Sequence, residues 1–393
     1  MTAPTVRERW ADPVARIETA RQRPDAARWL LELLPEGSPL YARRGTNEAE
    51  RLRGYLLASF ENVGLPPEAV PFVLEELETG RHPYAVAGAA RALRGAYTMP
   101  PEAPSLLVGA ITRLRGNDDV VSFDDFAPEA AIEGSVTALC ELAMTLSLLG
   151  PQARAALPTL KSLVADDDRR FSPSVRAALG EALESLARPE TAPCCCGPVP
   201  VAELSPSAVQ VRRRAPLQLS TLMLENQDGV RLAFAEAFSS RPTALAFFYT
   251  RCTNPDKCSL TVTRLARLAQ RVAADKLDAN VAGISYDPGW DNPGRLRRYG
   301  SDRGMRFSPR STLLRTVGDF DPLIEAFELG VGFGPVTVNR HRLDLIVLDR
   351  ELGVVQHFER RLWSEETVHD VLRGLATREP AQPSAVALRL MSA

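Results

Sequence analysis

Several things are scarce in this chain of 393 residues, and each scarcity excludes something. There are six cysteines, too few for a disulfide scaffold. A chain of this length buries enough core to fold without such staples. With four histidines, any histidine that carries chemistry has few competitors. Lysine is nearly missing: Lys161, Lys257 and Lys276 are the only ones among 47 basic residues, an imbalance we read as coding bias. Neither sign of charge prevails. The formal net charge of −2 argues against a general binder of nucleic acid or of anionic membranes. No apolar run reaches the ~18 residues of a membrane span. The longest candidate, Ser135 to Leu149, contains Glu141 and reads as a buried helix. The first residues, Met1 to Arg23, have neither the apolar centre nor the small-residue cleavage site of a secretory signal. The expectation is a soluble, cytoplasmic protein that contacts neither nucleic acid nor membrane; its oligomeric state is left open.

What is present falls into two halves with different periodicities. From about Glu48 to Ala187 the chain is a series of amphipathic helices rich in Ala, Leu and Arg. Examples are Leu52, Tyr55, Leu56 and Phe60, then Val70, Val73, Leu74 and Leu77. A pattern recurs three times in which an early helical proline (Pro71, Pro104, Pro158) leads an apolar face and an Ala-rich helix follows. These pairs resemble the HEAT or PBS-lyase-like repeat, which stacks helices into a solenoid and serves as a binding surface. Pro13 to Leu34 is expected to be a helical cap. Residues 1–187 form this predicted all-α domain. The prolines of residues 188–211 mark a linker.

Beyond the linker, strand patterns take over. Gln227-Asp228-Gly229 separates Leu222–Leu224 from Val230–Leu232, a hairpin signal. Thr243 to Tyr249 is a continuous apolar run, expected of a strand buried on both faces. Helix Thr261–Ala274, strand Asn280–Ser285, helices near Gly294–Tyr299 and Asp321–Phe327, strands Leu343–Leu348 and Gly353–Phe358, and helix Ser364–Leu375 follow. This alternation predicts an α/β thioredoxin-like sandwich over residues 212–377, with a mobile tail at 378–393. The fold class is thus a two-domain chain, all-α followed by α/β.

The chemistry is expected where Cys252 and Cys258 lie in the loop between the buried strand and the next helix. A helix N-terminus with Lys257 alongside is expected to favour the Cys258 thiolate. Phe248-Tyr249-Thr250-Arg251-Cys252 … Cys258 is similar to the F-x-Y-T-x-C strand end and two-cysteine loop of the Sco/SenC copper metallochaperones. Gln227-Asp228-Gly229 resembles that family's DQDG turn. Gly283-Ile284-Ser285-Tyr286-Asp287-Pro288 … Asp291-Asn292-Pro293 … Leu296 … Tyr299 resembles its I-S-x-D-P-x-x-D-T-P segment. His341, eight residues before Asp349, resembles the histidine that leads into its Y-L-I-D strand. The loop is Cys-x5-Cys here, where the family's is Cys-x3-Cys, and Arg342 stands where a serine commonly follows the histidine. The resemblance covers roughly Pro216 to Leu375 and implies Cys252, Cys258 and His341 as ligands of copper. Two thiolates and an imidazole form a soft set suited to Cu(I) and able to hold Cu(II).

Cys194-Cys195-Cys196 on the linker lack the C-x2-C spacing of structural zinc and are candidate auxiliary thiols. Cys140 reads as core, and His82, His357 and His369 as surface or packing residues. The acidic group Asp118, Asp119, Asp124 and Asp125 reads as a solvated loop. Asp287 and Asp291, at a strand end, read equally as turn caps or as supports of the site. The leading expectation is a copper-binding protein that delivers metal to a partner docked on the helical solenoid, or uses it chemically. A thiol–disulfide oxidoreductase working through Cys252 and Cys258 is the alternative, and a non-catalytic interaction scaffold the third reading.

Overall fold

The computed structural model describes residues 6–123, 126, 136–167, 170–189, 213–214 and 219–377. Asp124 and Asp125, most of the linker with Cys194, Cys195 and Cys196, and the tail at 378–393 lie outside the described residues. The chain divides into two compact units. One comprises Met1–Ser207 with Leu329–Leu343 and Glu359–Leu362. The other comprises Ala208–Glu328, Asp344–Phe358 and Trp363–Ala393.

The first unit is helical. Its helices are α1 (Val6–Arg21), α2 (Ala26–Leu33), α3 (Thr46–Ala58), α4 (Phe60–Val63), α5 (Val70–Thr79), α6 (Pro83–Leu93), α7 (Ala103–Leu114), α8 (Ala138–Leu149), α9 (Leu157–Asp167) and α10 (Pro173–Ala187). Two short strands, β1 (Val120–Val121) and β2 (Val136–Thr137), pair antiparallel. Pro71, Pro104 and Pro158 each stand second in their helix, at α5, α7 and α9. The missing proline N–H is one the first turn leaves unbonded in any case. The segment Pro13–Leu34, expected to be helical, is so, as two helices that part at Pro24, which cannot continue the turn. Glu141 in α8 is buried as expected, and its charge is met by Arg94 and by Arg91 at 3.7 Å.

Helices α3 and α6 cross at backbone contact. A Cβ on Gly88 would stand 2.1 Å from the Gly54 carbonyl oxygen, so only glycine allows the approach. Strands β9 (Val331–Phe333) and β10 (Val338–His341) form an antiparallel hairpin absent from the sequence reading. Its buried polar side chains are matched within this unit. Asn339 Nδ2 donates to the carbonyls of Tyr41 at 2.8 Å and Arg44 at 3.0 Å. Arg340 pairs with Glu76 at 2.7 Å and Glu50 at 2.9 Å.

The second unit is built on an eight-stranded mixed sheet in the order β3-β12-β11-β6-β7-β8-β4-β5. The strands are β3 (Arg213–Arg214), β4 (Met223–Asn226), β5 (Arg231–Ala233), β6 (Thr243–Phe248), β7 (Asn280–Ser285), β8 (Ser311–Thr316), β11 (Asp344–Leu348) and β12 (Gly353–Glu359). Helix α11 (Phe234–Phe238) follows β5. The β4–β5 turn is the expected hairpin: the Asn226 side chain accepts from the N–H groups of Asp228 and Val230 at 2.9 and 3.0 Å. Gly229 supplies the positive φ of 78° there. Strands β6, β7 and β8 run parallel. Their crossovers contain α12 (Leu260–Ala274) and α13 (Pro293–Ser301). Helix α14 (Asp321–Phe327) follows β8, and α15 (Glu365–Ala376) closes the chain.

Every residue of β6 is buried, as its unbroken apolar run requires. Ala244 and Ala246 join Leu265 and Leu268 of α12 and Val368 and Leu372 of α15 in one core layer. Phe247 packs in an aromatic cluster with Tyr286, Phe320 and Phe327, at centroid distances of 6.0 to 6.3 Å. Both faces of the central strand are therefore covered. Its carboxyl end, outside which open parallel sheets gather their ligands, opens into the two-cysteine loop.

Candidate metal centre

The loop begins where β6 ends at Phe248. The backbone N–H of Thr250 donates to Asp291 Oδ2 at 3.0 Å, and the Thr250 hydroxyl bonds the other oxygen of that carboxylate. Arg251 donates to Asp287 Oδ2 through Nε at 3.1 Å and lies 4.6 Å from the Trp290 ring centroid. Cys252 follows in a turn whose N–H reaches the Tyr249 carbonyl at 3.4 Å. Its thiol, half-buried, donates to the Asn254 carbonyl at 3.6 Å. The Asn254 side chain caps a single wide π-helical turn, Pro255–Ser259, by accepting from Asp256 N–H at 2.9 Å. That turn takes in Pro255, Asp256 and Lys257, three of the five residues between the cysteines, and delivers Cys258 to the start of α12. Such π-turns are recurrent at functional sites.

Cys258 is buried (1% exposed). Burial pushes its thiol well above the ordinary range and the neighbouring Cys252 adds to this, whereas Lys257 opposes it only weakly. This corrects the sequence expectation of a thiolate favoured by Lys257 and the helix start. Lys257 has non-helical backbone angles (φ −105°, ψ −105°) inside the π-turn. The turn therefore departs from the regular helix start that the expectation assumed, and the low-dielectric surroundings prevail. Two phenols line the same region. Burial, reinforced by the Cys252 and Cys258 sulfurs, raises the pKa of both Tyr249 and Tyr299, which stay protonated. The Arg303 guanidinium lies 3.4 Å from the Tyr299 centroid.

His341 ends β10 and is 7% exposed. Its Nδ1 lies 3.0 Å from the Arg342 carbonyl oxygen. A carbonyl only accepts, so Nδ1 carries the proton and the ring lone pair is on Nε2, the orientation metal-binding histidines use. Cys252 and Cys258 belong to the second unit and His341 to the first; together they offer two sulfurs and one ring nitrogen as donors. The two cysteines are thiols, not a disulfide. A soft S₂N set of this kind suits copper.

The remaining candidates are structural. Cys140 is buried on α8 among Leu139, Leu142 and Leu146. His82 caps α6 by accepting from Tyr84 N–H at 3.3 Å. His357 meets buried Asp344 at 2.8 Å, and His369 meets Asp275 at 3.0 Å. Asp118, expected in a solvated loop, is exposed and accepts from Leu139 N–H at the start of α8 at 3.0 Å. Sequence reasoning left Asp287 and Asp291 undecided between two roles. Their long-range bonds to Thr250 and Arg251 are the signal it lacked, since residues some 40 positions apart meet only when β6 and β7 pair.

Comparison with known proteins gives one family. Residues 218–376 match the family model of SCO1/SenC. Among solved structures, a SCO1/SenC family lipoprotein from Bacillus anthracis is 19% identical, over 40% of this chain and 94% of that one, with a TM-score of 0.35. Bradyrhizobium japonicum ScoI with copper bound is 23% identical, over 39% and 96%, with a TM-score of 0.31. Yeast Sco1 with copper bound is 20% identical, over 41% and 94%, with a TM-score of 0.31. No curated protein sequence matches the chain. Among the described residues no helix is long and apolar enough to cross a membrane.

Proposed function

We propose that this protein binds copper through Cys252, Cys258 and His341 and passes it to a partner protein, with copper as cargo. The observation that carries the reading is the match of residues 218–376 to the SCO1/SenC family model, a stretch in which Cys252, Cys258 and His341 supply a soft S₂N donor set. The thioredoxin-like arrangement expected of the mixed sheet supports it. Residues fitted for the cargo act in simple ways. The Arg342 carbonyl fixes the ring tautomer of His341. Cys258 gives up its proton on binding, and the protonated phenols of Tyr249 and Tyr299 can donate toward the thiolates. Three protein donors keep one position open, so an incoming thiolate or imidazole enters before a protein ligand leaves. The helical unit, with its three proline-led helix pairs, is read as a HEAT-like surface on which the partner docks.

The test is loading of the full chain with one equivalent of Cu(I) under reducing, anaerobic conditions, followed by removal of loosely held metal. About one copper per wild-type chain is expected, with loss in both His341→Ala and Cys252→Ser. Equal retention by wild type and variants would refute the assignment. A second reading, thiol–disulfide exchange by Cys252 and Cys258, is favoured by the closeness of the two sulfurs. It predicts exchange activity that survives His341→Ala. The buried, protonated Cys258 is a poor attacking group, so in that reading the half-exposed Cys252 is the nucleophile.

A further inference from the structure

Two carboxylates after β7 take no part in the donor set, and their contacts fall on the two residues that precede Cys252. Asp291 is fully buried (0% exposed). Its oxygens accept from Thr250 N–H at 3.0 Å, from the Thr250 hydroxyl and from the Ser285 hydroxyl. A turn-capping aspartate bonds N–H groups one to three residues along its own chain. The side chain of Asp291 instead reaches 41 residues back to the end of β6 and six back to the end of β7. Asp287 repeats the pattern one step closer to the sulfur. Its carboxylate holds Arg251 at 2.5 Å, and its own N–H is tied to the Ser285 hydroxyl at 3.0 Å. Cys252 is thus the first residue of the loop beyond a backbone held through two buried or half-buried carboxylates.

We infer that Asp291, assisted by Asp287, is a positioning residue that sets where the Cys252 sulfur stands, and so tunes the hold on a soft metal ion. The inference rests on the copper reading above. A half-exposed cysteine at the mouth of a loop loses conformational freedom when it takes a metal ion. A backbone already held by a carboxylate shielded from water has less freedom left to lose. Supporting bonds one shell behind the ligands are commonly worth 10- to 100-fold in metal affinity.

The experiment uses the full chain with Asp291→Ala, Asp291→Asn and the Cys252→Ser floor. Far-UV circular dichroism first checks that each is folded. Three readouts follow: Cu(I) affinity by competition with a chelator, the thiolate-to-Cu(II) charge-transfer band, and the alkylation rate of Cys252 in the copper-free chain, followed by peptide mass mapping. Asp291→Ala is expected to weaken Cu(I) binding by about tenfold or more, to shift the band and to change the alkylation rate. Asp291→Asn, which keeps the shape and one carbonyl acceptor for Thr250 N–H, should recover part of all three. A folded Asp291→Ala chain with the wild-type affinity, band and alkylation rate overturns the inference. If the wild type holds no copper, the copper reading fails, and the Cys252 alkylation rate alone decides: a changed rate supports positioning, an unchanged rate overturns it. Should Asp291→Ala not fold, Thr250→Val, which removes only the hydroxyl contact, is measured with the same readouts and judged by the same outcomes.

Discussion

Replacing Arg360 with methionine should destabilise the helical unit more than any surface change could. The Arg360 side chain is 5% exposed, and its guanidinium meets Glu36 at 2.6 and 3.0 Å and Glu75 at 2.8 Å. Its Cζ also lies 3.6 Å from the Phe72 ring centroid. Glu36 and Glu75 are 1% and 0% exposed. Methionine keeps much of the stem packing but removes the positive charge between two buried carboxylates. Breaking a buried pair in this way typically costs about 3–5 kcal/mol, here with Arg53 at 3.5 Å from Glu36 still offsetting part of that carboxylate's charge. For a unit of this size that is a fall in Tm on the order of 10 °C. The assay is thermal and urea unfolding of the full chain followed by far-UV circular dichroism.

The pH dependence has a definite sign. Burial pushes the Glu36 carboxyl up, but Arg360 and then Arg53 hold it well below its ordinary value of 4.5. Its contribution is therefore present above about that pH and is lost as the pH falls through the lower folded value. In Arg360→Met the Glu36 carboxylate keeps Arg53 but loses Arg360, and gains a proton more readily than in the wild type. The gap between the two proteins should be widest near neutrality and shrink in acid. Arg360→Met/Glu36→Leu/Glu75→Leu, which removes the charges together, should recover much of the loss. A single variant that unfolds within about 1 kcal/mol of the wild type at neutral pH would refute the reasoning. So would a gap that widens in acid.

Two further outcomes follow from contacts in the two units. Gly88→Ala should cost at least about 1–3 kcal/mol, the usual range for overpacking, because its Cβ meets the Gly54 carbonyl oxygen at 2.1 Å; chemical denaturation measures it, and a neutral result would show that α3 and α6 can part cheaply. Cys258 must lose its proton to bind metal, and its thiol is held well above the ordinary range by burial. Apparent Cu(I) affinity should therefore fall at least about tenfold for each unit of pH lowered near neutrality, as measured by competition at several pH values. A flat profile would mean that Cys258 does not ligate as a thiolate.

How much of this was legible depended on how local each signal was. The unbroken run Thr243–Tyr249 announced a strand covered on both faces, its length and aromatic end favouring a strand over a buried helix. Pro71, Pro104 and Pro158 marked helix starts because proline is tolerated there and not a turn later. Gln227-Asp228-Gly229 marked a hairpin through side-chain acceptance and a positive φ, both local properties. The resemblance to the Sco/SenC pattern implied Cys252, Cys258 and His341 as a soft donor set before any geometry was known.

Other features needed the folded chain. Strand β8 was missed because its pattern is broken by Arg315, whose partner Glu225 stands across the sheet at 2.8 Å. The β9–β10 hairpin was missed because the successive polar residues Asn339, Arg340 and His341 carry no apolar strand pattern, and Asn339 and Arg340 are buried only where carbonyls and carboxylates meet them. The protonation of Cys258 went the other way from its sequence neighbours, since desolvation depends on everything packed around a thiol and not on the lysine beside it. Asp291 could be read as a turn residue or a support, and only the pairing of β6 with β7 put Thr250 within its reach. The order of residues alone determined the strand–loop–helix frame and the donor types, which are properties of neighbours along the chain. Burial and charge pairing belonged to the tertiary structure, because each is a relation between residues that the sequence holds far apart.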